Sequence, residues 1–216
     1  MSAAGAAIGI IDYGLGNRRS VEKAVERVGA RPLLTADHDL LRAADGLVLP
    51  GVGAFPAGME LLREGGFDAL IAELVDGGTP LFGCCLGMQL LFDESDEHDG
   101  ASGLGLIHGP VRAIDAPGVK LPHIGWSEVR WRAGGALTTG LPDPSVFYHV
   151  HSYVPRPADE ADVLGVSDYG GEFASVVGRG NVFGAQFHPE KSSTHGLALL
   201  RNFAGLCTRA ETAAGA

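Results

Sequence analysis

Three short apolar runs, each followed by a glycine-containing turn, constrain the fold more than any other feature of the sequence. They are Ile8–Ile11, Leu47–Leu49 and Leu81–Phe82. Such short, continuous runs are typical of strands buried on both faces of a parallel sheet. Between them, apolar residues recur at helical spacing and end at a glycine, as in Val21, Ala24, Val25, Val28 and Gly29, and in Phe67, Leu70, Ile71, Leu74 and Gly77. This alternation predicts an α/β fold with a mostly parallel central sheet and helices on both faces.

The sequence pattern changes at about residue 103. From there to about residue 180 it consists of short β-rich pieces separated by Gly and Pro turns. We interpret them as meandering strands at one end of the same sheet, forming a smaller β-rich extension. No shift in composition requires a second domain, and 216 residues suit one large core, so residues 1–216 are expected to form a single domain.

Composition excludes several classes of function. The net charge is −10 and no Lys/Arg cluster occurs, which argues against a nucleic-acid partner. Three cysteines, two of them adjacent, cannot form a disulfide framework, and none has zinc-ligand spacing, so no metal is expected. No apolar stretch reaches the roughly 18 residues that span a bilayer, and the start lacks a charged leader region. These features predict a soluble cytoplasmic protein without a membrane partner.

The turn after the first apolar run resembles the start of a dinucleotide-binding motif only superficially. The G-x-G-x-x-G pattern needs a third glycine where Arg19 stands. No cofactor is therefore predicted.

The stretch PLFGCCLGMQLLF, residues 80–92, has the layout of a nucleophile elbow. Gly83 and Gly87 flank Cys85 at the spacing that a strained strand-to-helix turn requires, and a helix-compatible stretch, 88–92, follows. Cys85 is therefore the candidate nucleophile, at the amino end of a helix where a reactive cysteine is favoured. Packing in the core is the alternative, and we assign that role to Cys84.

A base and a carboxylate occur together near the end of the chain. His188 and Glu190 flank Pro189, and in an extended backbone they project to the same side. A cysteine, a histidine and an orienting carboxylate are what thiol catalysis requires. The glycines around Val52 leave its peptide free to donate to an oxyanion, although this segment taken alone favours a plain flexible turn. His149 and His151 share one face of a strand and are predicted to make structural hydrogen bonds rather than to bind a metal.

These motifs resemble the class I, triad-type glutamine amidotransferases, in which GxCxG carries the nucleophile and HPE completes the triad. More narrowly, IDYGLGN, LPGVGAF, PHIGW, YHVHSY and FHPEKS, in this order, resemble the glutaminase subunits of imidazole glycerol phosphate synthases. The resemblance covers residues 8–206. It implies the three-layer, flavodoxin-like fold of class I glutamine amidotransferases.

The resemblance also implies a mechanism and a set of site residues. Glutamine would be hydrolysed to glutamate and ammonia by Cys85, His188 and Glu190. The oxyanion would be held by backbone groups of Gly51, Val52 and Leu86. The positions that match glutamine-binding residues of the family are Gly53, Gln89, Glu97, Ser152 and Tyr153.

The resemblance further implies a partner, a (β/α)8-barrel cyclase. It would receive the ammonia and form imidazole glycerol phosphate and an aminoimidazole carboxamide ribotide in histidine biosynthesis. The positions that match its docking surface are Tyr13, Asn17, Trp126 and Lys191. This sequence departs from the family at Cys84, where an aliphatic residue is usual, and at His149, where an aromatic residue is common.

Two alternatives remain at this point. The chain could be the glutaminase subunit of another amidotransferase, such as pyridoxal phosphate synthase, although PGVGAF, PHIGW and YHVHSY argue against it. It could also be a non-catalytic α/β regulatory protein that retains an inert cysteine.

Overall fold

The computed structural model describes residues 5–214, with side chains to residue 208. The strands are β1 Ala7–Ile11, β2 Arg31–Thr35, β3 Gly46–Leu49, β4 Leu81–Cys84, β5 Glu94–Ser95, β6 Ala101–Ser102, β7 Pro110–Ala113, β8 His123–Trp131, β9 Ser145–His151, β10 Tyr153–Pro155, β11 Val163–Asp168, β12 Glu172–Arg179 and β13 Val182–Ala185. The helices are α1 Arg18–Arg27, α2 His38–Arg42, α3 Phe55–Glu64, α4 Phe67–Asp76, α5 Leu86–Gln89 and α6 Ser193–Ala214. Short 3-10 turns cover Ala136–Thr138, Glu160–Asp162 and Pro189–Lys191.

Nine strands form the central sheet, in the order β2-β1-β3-β4-β13-β12-β11-β8-β9. The first five pair in parallel and the last four pair antiparallel. Four strands from the β-rich middle of the chain, β8, β9, β11 and β12, extend the same sheet, as predicted. The other two strands of that stretch, β7 and β10, lie instead in a second sheet, β10-β7-β5-β6, which was not predicted.

Two buried apolar clusters lie on opposite faces of the parallel strands. Along β3, Leu47 and Leu49 belong to one cluster and Val48 to the other, because successive side chains of a strand point to opposite faces. Helices α2, α3 and α4 contribute to the first cluster, and α1 and α6 to the second. The predicted three-layer α/β arrangement is confirmed.

The antiparallel half of the sheet curls back toward the parallel half. β9 is four strands away from β13 in the sheet, yet the backbone N–H of His188, just after β13, donates to Tyr148 O of β9 at 3.0 Å. The rings of Phe147 and Phe187 stack at 3.9 Å between centroids. This curl brings the β8–β9 hairpin against the carboxyl end of β4, where the elbow lies.

The chain that follows β13 also covers the outer edge of β9. Ser192 Oγ accepts from Tyr148 N at 3.0 Å, and the His195 ring nitrogen Nδ1 accepts from Val146 N at 3.0 Å. These bonds satisfy backbone donors that an edge strand would otherwise expose. They also fix the position of the segment that carries His188 and Glu190.

In the part of the chain that the structure describes, no helix is long and apolar enough to cross a membrane.

Candidate active site

Cys85 lies at the apex of a strained turn between β4 and α5. Its φ of 53° and ψ of −111° are unfavourable for a residue with a side chain, which is a mark of strain at functional positions. A Cβ on Gly83 would lie 2.6 Å from the Gly87 carbonyl oxygen, and a Cβ on Gly87 would collide with the carbonyl oxygen of Leu49. The two glycines are therefore needed at this spacing, and the nucleophile elbow predicted from GxCxG is present in the structure.

The helix after the elbow is shorter than predicted. The expected helical stretch 88–92 is helical only to Gln89, and α5 spans four residues. The carbonyls of Leu90, Leu91 and Phe92 accept hydrogen bonds from the backbone of 104–107 instead of from a further helical turn. The loop 104–107 thus ends the helix, and a long helix dipole is not part of this site.

Cys84 and Cys85 point in opposite directions. Cys84 is the last residue of β4, 2% exposed, and belongs to the apolar cluster under α1 and α6, which confirms the core role predicted for it. Burial, with the charges of Glu190 and Cys85 adding to it, holds the pKa of the Cys84 thiol well above its usual range. Cys84 is therefore a protonated packing residue, and Cys85 alone opens into a cavity.

His188 and Glu190 form a buried pair. His188 Nδ1 lies 3.0 Å from Glu190 Oε1, and their side chains are 4% and 1% exposed. The prediction that the two side chains converge is correct, but its geometric reason is not. Strand β13 ends at Ala185, and Glu190 reaches His188 because Pro189–Lys191 forms a 3-10 turn rather than an extended strand.

The pKa of His188 is raised to about 9. Burial acts in the opposite direction and is the largest single influence, but hydrogen bonds with Cys85 and Glu190 and the charges of both residues outweigh it together. His188 is thus a stronger base than a free histidine, in contact with the thiol on one side and the carboxylate on the other.

Cys85 and His188 open into a cavity of ≈ 290 Å³ at the carboxyl end of the parallel strands. Open α/β sheets place their ligands at this end. All five predicted glutamine-binding residues line the cavity, together with Val52 and Leu86 of the predicted oxyanion site. Sequence reasoning did not identify the further lining residues Pro122, Val150 and His151.

A chain of buried amides lies under the nucleophile. Gln89 Nε2 donates to the Tyr153 carbonyl at 3.0 Å and to Gln186 Oε1 at 3.1 Å, and Gln186 Nε2 lies 3.9 Å from Cys85 Sγ. Val150 O lies 3.7 Å from the same sulfur. Gln186 was not predicted, although its position two residues before His188 on the same segment was a signal that could have suggested it.

Glu97 has a second role besides lining the cavity. Its Oε2 accepts from Phe55 N at 2.7 Å, at the first turn of α3. A carboxylate is favourable at a helix amino end because it satisfies a free N–H and complements the helix dipole. The contact ties the loop after β5 to the segment 51–55, which includes the predicted oxyanion residues.

Three histidines form a buried cluster beside the cavity: His123, His149 and His151. His151 Nδ1 donates to Tyr153 O at 3.1 Å, so its Nε2 accepts from His123 Nδ1 at 3.2 Å. His149 bonds Phe147 O at 3.2 Å and Ser175 Oγ at 2.9 Å. The structural hydrogen bonds predicted for His149 and His151 are confirmed, and no cluster of metal-ligating side chains occurs among the residues described by the structure.

Burial keeps this cluster uncharged. It lowers the pKa of His151 to about 3 and that of His149 well below the usual range, and in each case the neighbouring histidines lower it further. Burial also lowers the pKa of His123. Each neutral ring therefore has one nitrogen that donates a hydrogen bond and one that accepts, and its partners determine which nitrogen does which.

The four predicted partner-facing residues do not share one environment. Trp126 is 54% exposed, Lys191 is exposed and also lines the cavity, and Asn17 is half-buried with a side chain that does not cap α1. Tyr13 is 5% exposed, so the prediction that it lies on the surface is wrong. Its ring fills the apolar cluster under α3, and its hydroxyl bonds a carbonyl of the next turn.

Comparison with known proteins defines the class. The family model described as Glutamine amidotransferase class-I matches residues 9–206. A solved structure described as glutamine amidotransferase superposes with a TM-score of 0.72 at 24% identity, covering 93% of this chain and 98% of the other. The chain thus belongs to the class I glutamine amidotransferase family, and its fold is shared with a member of that family.

Two relatives narrow the assignment. Imidazole glycerol phosphate synthase subunit HisH of Bacillus cereus is 50% identical over 199 residues, which cover 92% of this chain and 94% of the relative. The protein of the same name from Moorella thermoacetica is 48% identical over 206 residues, covering 95% and 98%. Within its class the chain is therefore a member of the HisH family, which favours the narrower resemblance over a pyridoxal phosphate synthase subunit.

Proposed function

We propose that this chain is the glutaminase subunit of an imidazole glycerol phosphate synthase, a single domain that releases ammonia from L-glutamine for histidine biosynthesis. The observation that carries the proposal is the meeting of three groups at one cavity. Cys85 lies on the strained elbow, and His188 contacts both the thiol and Glu190. This is the arrangement that acyl transfer through a cysteine requires.

In the first half of the reaction, Cys85 Sγ attacks the side-chain amide carbon of glutamine. His188 takes the thiol proton and gives it to the departing nitrogen, so that ammonia leaves and a glutamyl thioester remains. Glu190 Oε1, 3.0 Å from Nδ1, holds the ring in the tautomer whose other nitrogen faces the sulfur. The raised pKa of His188 suits the acceptance of that proton.

In the second half, water attacks the thioester carbonyl. His188 takes a proton from the water and returns one to the sulfur, which releases glutamate and restores the thiol. Negative charge develops on the same carbonyl oxygen in both halves, so both need the same donors. The backbone N–H groups of Leu86 and of the Gly51–Val52 segment line the cavity or adjoin it and are our candidates.

The substrate's amino acid end is assigned to the other side of the cavity. Gly53, Gln89, Glu97, Ser152 and Tyr153 line it. The Glu97 carboxylate supplies negative charge for the α-ammonium group, and Gln89 is held in place by its bonds to Tyr153 O and Gln186. These assignments follow from the lining and from the chemistry of the side chains.

The partner that we propose is a (β/α)8-barrel cyclase that consumes the ammonia. An apolar patch beside the cavity supports docking of a protein there: Ile124 is 57% and Trp126 54% exposed, and Val52 at the cavity mouth is 39% exposed. Exposed apolar patches of this kind mark protein contacts. Asn17 and Lys191, which flank the same end of the sheet, are the polar contacts that we assign to the cyclase.

Covalent labelling tests the nucleophile. A diazoketone analogue of glutamine is expected to attach one equivalent to the native chain, at Cys85, as located by peptide mass spectrometry. Cys85→Ser should abolish labelling, and the matched variant Cys84→Ser should retain it. Labelling that persists in Cys85→Ser would move the nucleophile elsewhere.

Glutamine turnover tests the partnership. We expect weak glutaminase activity from the chain alone and a large rise when the cyclase subunit and its nucleotide ligand are added. The physical reason is that a glycine-flanked peptide at Val52 can rest in an orientation that does not bind the oxyanion, and a partner shifts that population. Activity that does not respond to the cyclase would contradict the proposed partner.

A further inference from the structure

Tyr13 links two turns at the carboxyl end of the sheet. It follows β1 by two residues, and its hydroxyl donates to the carbonyl oxygen of Pro50 at 2.8 Å in a buried position. Pro50 follows β3 directly and begins the segment 50–53, which contains the residues assigned to the oxyanion. The bond therefore joins the turn that carries Asn17 to the turn that faces Cys85.

This bond restricts the one remaining rotation at the start of the oxyanion segment. The proline ring fixes φ of Pro50, so only ψ can change the direction of its carbonyl. The Tyr13 hydroxyl holds that carbonyl. Because the peptide unit is planar, a fixed Pro50 carbonyl also fixes the direction of the Gly51 N–H.

Close packing reinforces the same restriction. A Cβ on Gly51 would lie 2.9 Å from the Tyr13 hydroxyl and 2.7 Å from Gly87 N, so the Gly51 backbone lies between Tyr13 and the elbow. A Cβ on Gly16 would lie 3.2 Å from Pro50 Cβ and 3.4 Å from Gly51 N. The turn with Tyr13 and Gly16 thus holds the Pro50–Gly51 peptide against the nucleophile's own turn.

We propose that Tyr13 is a positioning residue for glutamine hydrolysis, which holds the Pro50 carbonyl so that the Gly51–Val52 segment stays aligned with Cys85. This inference rests on the proposed glutaminase function. Tyr13 acts through the oxyanion segment and does not bind the substrate. Since Asn17 lies in the same turn, Tyr13 also connects the proposed cyclase surface to the oxyanion segment.

The protonation of Tyr13 fits this role. Burial raises the pKa of its hydroxyl above the usual range, and the charges of Cys85 and Cys84 raise it further. The hydroxyl therefore keeps the proton that it donates to Pro50.

The test is Tyr13→Phe, assayed in complex with the cyclase subunit. We expect kcat for glutamine hydrolysis to fall about tenfold, because the Pro50 carbonyl loses its buried donor and the oxyanion segment is no longer held in position. KM for glutamine should stay within about twofold, since the substrate's contacts are untouched. The rate of Cys85 alkylation by iodoacetamide should also stay within about twofold, because that displacement forms no carbonyl oxyanion.

Tyr169→Phe is the matched control. Its hydroxyl also donates to a backbone carbonyl, that of Lys120 at 2.7 Å, but the bond does not involve the segment 50–53. Tyr169→Phe should lose no more stability in urea than Tyr13→Phe, because its bond is exposed, and only Tyr13→Phe should lose kcat. Thermal unfolding of each variant excludes a folding defect as the cause.

The outcomes separate the two proposals. A Tyr13→Phe complex with native kcat, or one whose alkylation rate falls in parallel with kcat, overturns the positioning role while the glutaminase function stands. A loss that appears in KM rather than kcat overturns it as well. If the native complex hydrolyses no glutamine, the proposed function is overturned and the role of Tyr13 falls with it.

Discussion

The buried histidines of the site fall into two groups that differ in protonation: His188 by itself, and the cluster of His123, His149 and His151. His188, at the end of β13, has a pKa raised to about 9, and His151, in the β8–β9 hairpin, has a pKa lowered to about 3. Both are almost completely buried. The difference lies in the neighbours, because His188 contacts a carboxylate and a thiol, whereas His151 contacts a carbonyl and another imidazole.

Burial alone therefore does not decide what a histidine does at this site. Desolvation opposes the charged form in both groups, and at His188 the hydrogen bonds and charges of Cys85 and Glu190 together reverse its effect. His151 contacts neither residue in the same way, and its hydrogen bonds go to a carbonyl and another imidazole. One group is suited to moving protons and the other to holding backbone and side chains in place.

The largest effect should come from two separate variants in which His188 or His151 is replaced by asparagine. His188→Asn removes the base and is expected to lower kcat by at least about a thousandfold. His151→Asn should lower it by about tenfold or less, because it loosens Tyr153 O without removing a reacting group. Steady-state glutaminase assays of both variants in the cyclase complex measure the contrast. Equal losses would show that the two groups do not differ in function.

Removing the Glu190 carboxylate should make the protonation of His188 resemble that of the histidine cluster. Glu190→Gln keeps the size of the side chain but loses its charge, so we expect kcat to fall by roughly a hundredfold to ten-thousandfold. The pKa of His188 should also fall toward its ordinary value, as followed by NMR titration of the ring. Glu97→Gln changes a cavity carboxylate that does not contact His188, and it serves as the control for the pKa measurement alone, because it should leave the pKa of His188 unchanged. A Glu190→Gln variant that keeps its activity within threefold would refute the orienting role.

The two groups should contribute differently to the pH dependence of stability. An unfolded histidine titrates near pH 6.5. His188 takes its proton from the Cys85 thiol, so folding binds no additional proton at this pair. Between pH 6.5 and 3 the unfolded chain holds a proton that folded His151 lacks, so stability falls as pH falls through that range.

Urea unfolding at pH 5 and 7 measures this difference. The native chain should lose roughly 1–3 kcal/mol of stability between pH 7 and pH 5. His151→Asn should remove part of that loss, whereas His188→Asn should not. A native chain that is equally stable at both values would contradict the protonation state assigned to His151.

The smallest effect is expected at His149. His149→Phe keeps an aromatic ring beside Phe187 but leaves Ser175 Oγ without its partner at 2.9 Å. We expect about 1–2 kcal/mol of stability to be lost at pH 7 and activity to stay within threefold. Urea unfolding and glutamine turnover test this together, and Ser175→Ala, which removes the other partner, is the matched variant. A tenfold loss of activity would place His149 in the catalytic machinery.

The features that sequence reasoning identified are those set by local sterics. The elbow around Cys85 requires residues without a side chain at Gly83 and Gly87, and the carboxylate that contacts His188 lies two residues away, so both were visible as short-range patterns. The continuous apolar runs likewise marked the buried parallel strands.

The first short helix, α2, was not predicted, although Asp37, whose side chain accepts from Asp39 N and Leu40 N, gave a capping signal.

The features that sequence reasoning missed depend on which distant strands pair. His123 meets His151 because β8 and β9 pair in that register, and Gln186 meets Gln89 because β13 pairs with β4. Tyr13 occupies a turn, where exposure is the ordinary expectation, and its burial follows from the position of Pro50, 37 residues away. No local pattern encodes such contacts.

The position of β13 in the sheet has a consequence for synthesis of the protein. This strand is the last of the thirteen to be made, yet it pairs between β4 and β12 and joins the parallel and antiparallel halves. A ribosome-bound chain that has not reached residue 182 therefore has two sheet halves with unpaired apolar edges, which is a situation that invites aggregation. The chain that follows this strand also carries His188 and Glu190, so the nascent chain gains its finished sheet and the last two residues of the proposed triad in the same late step.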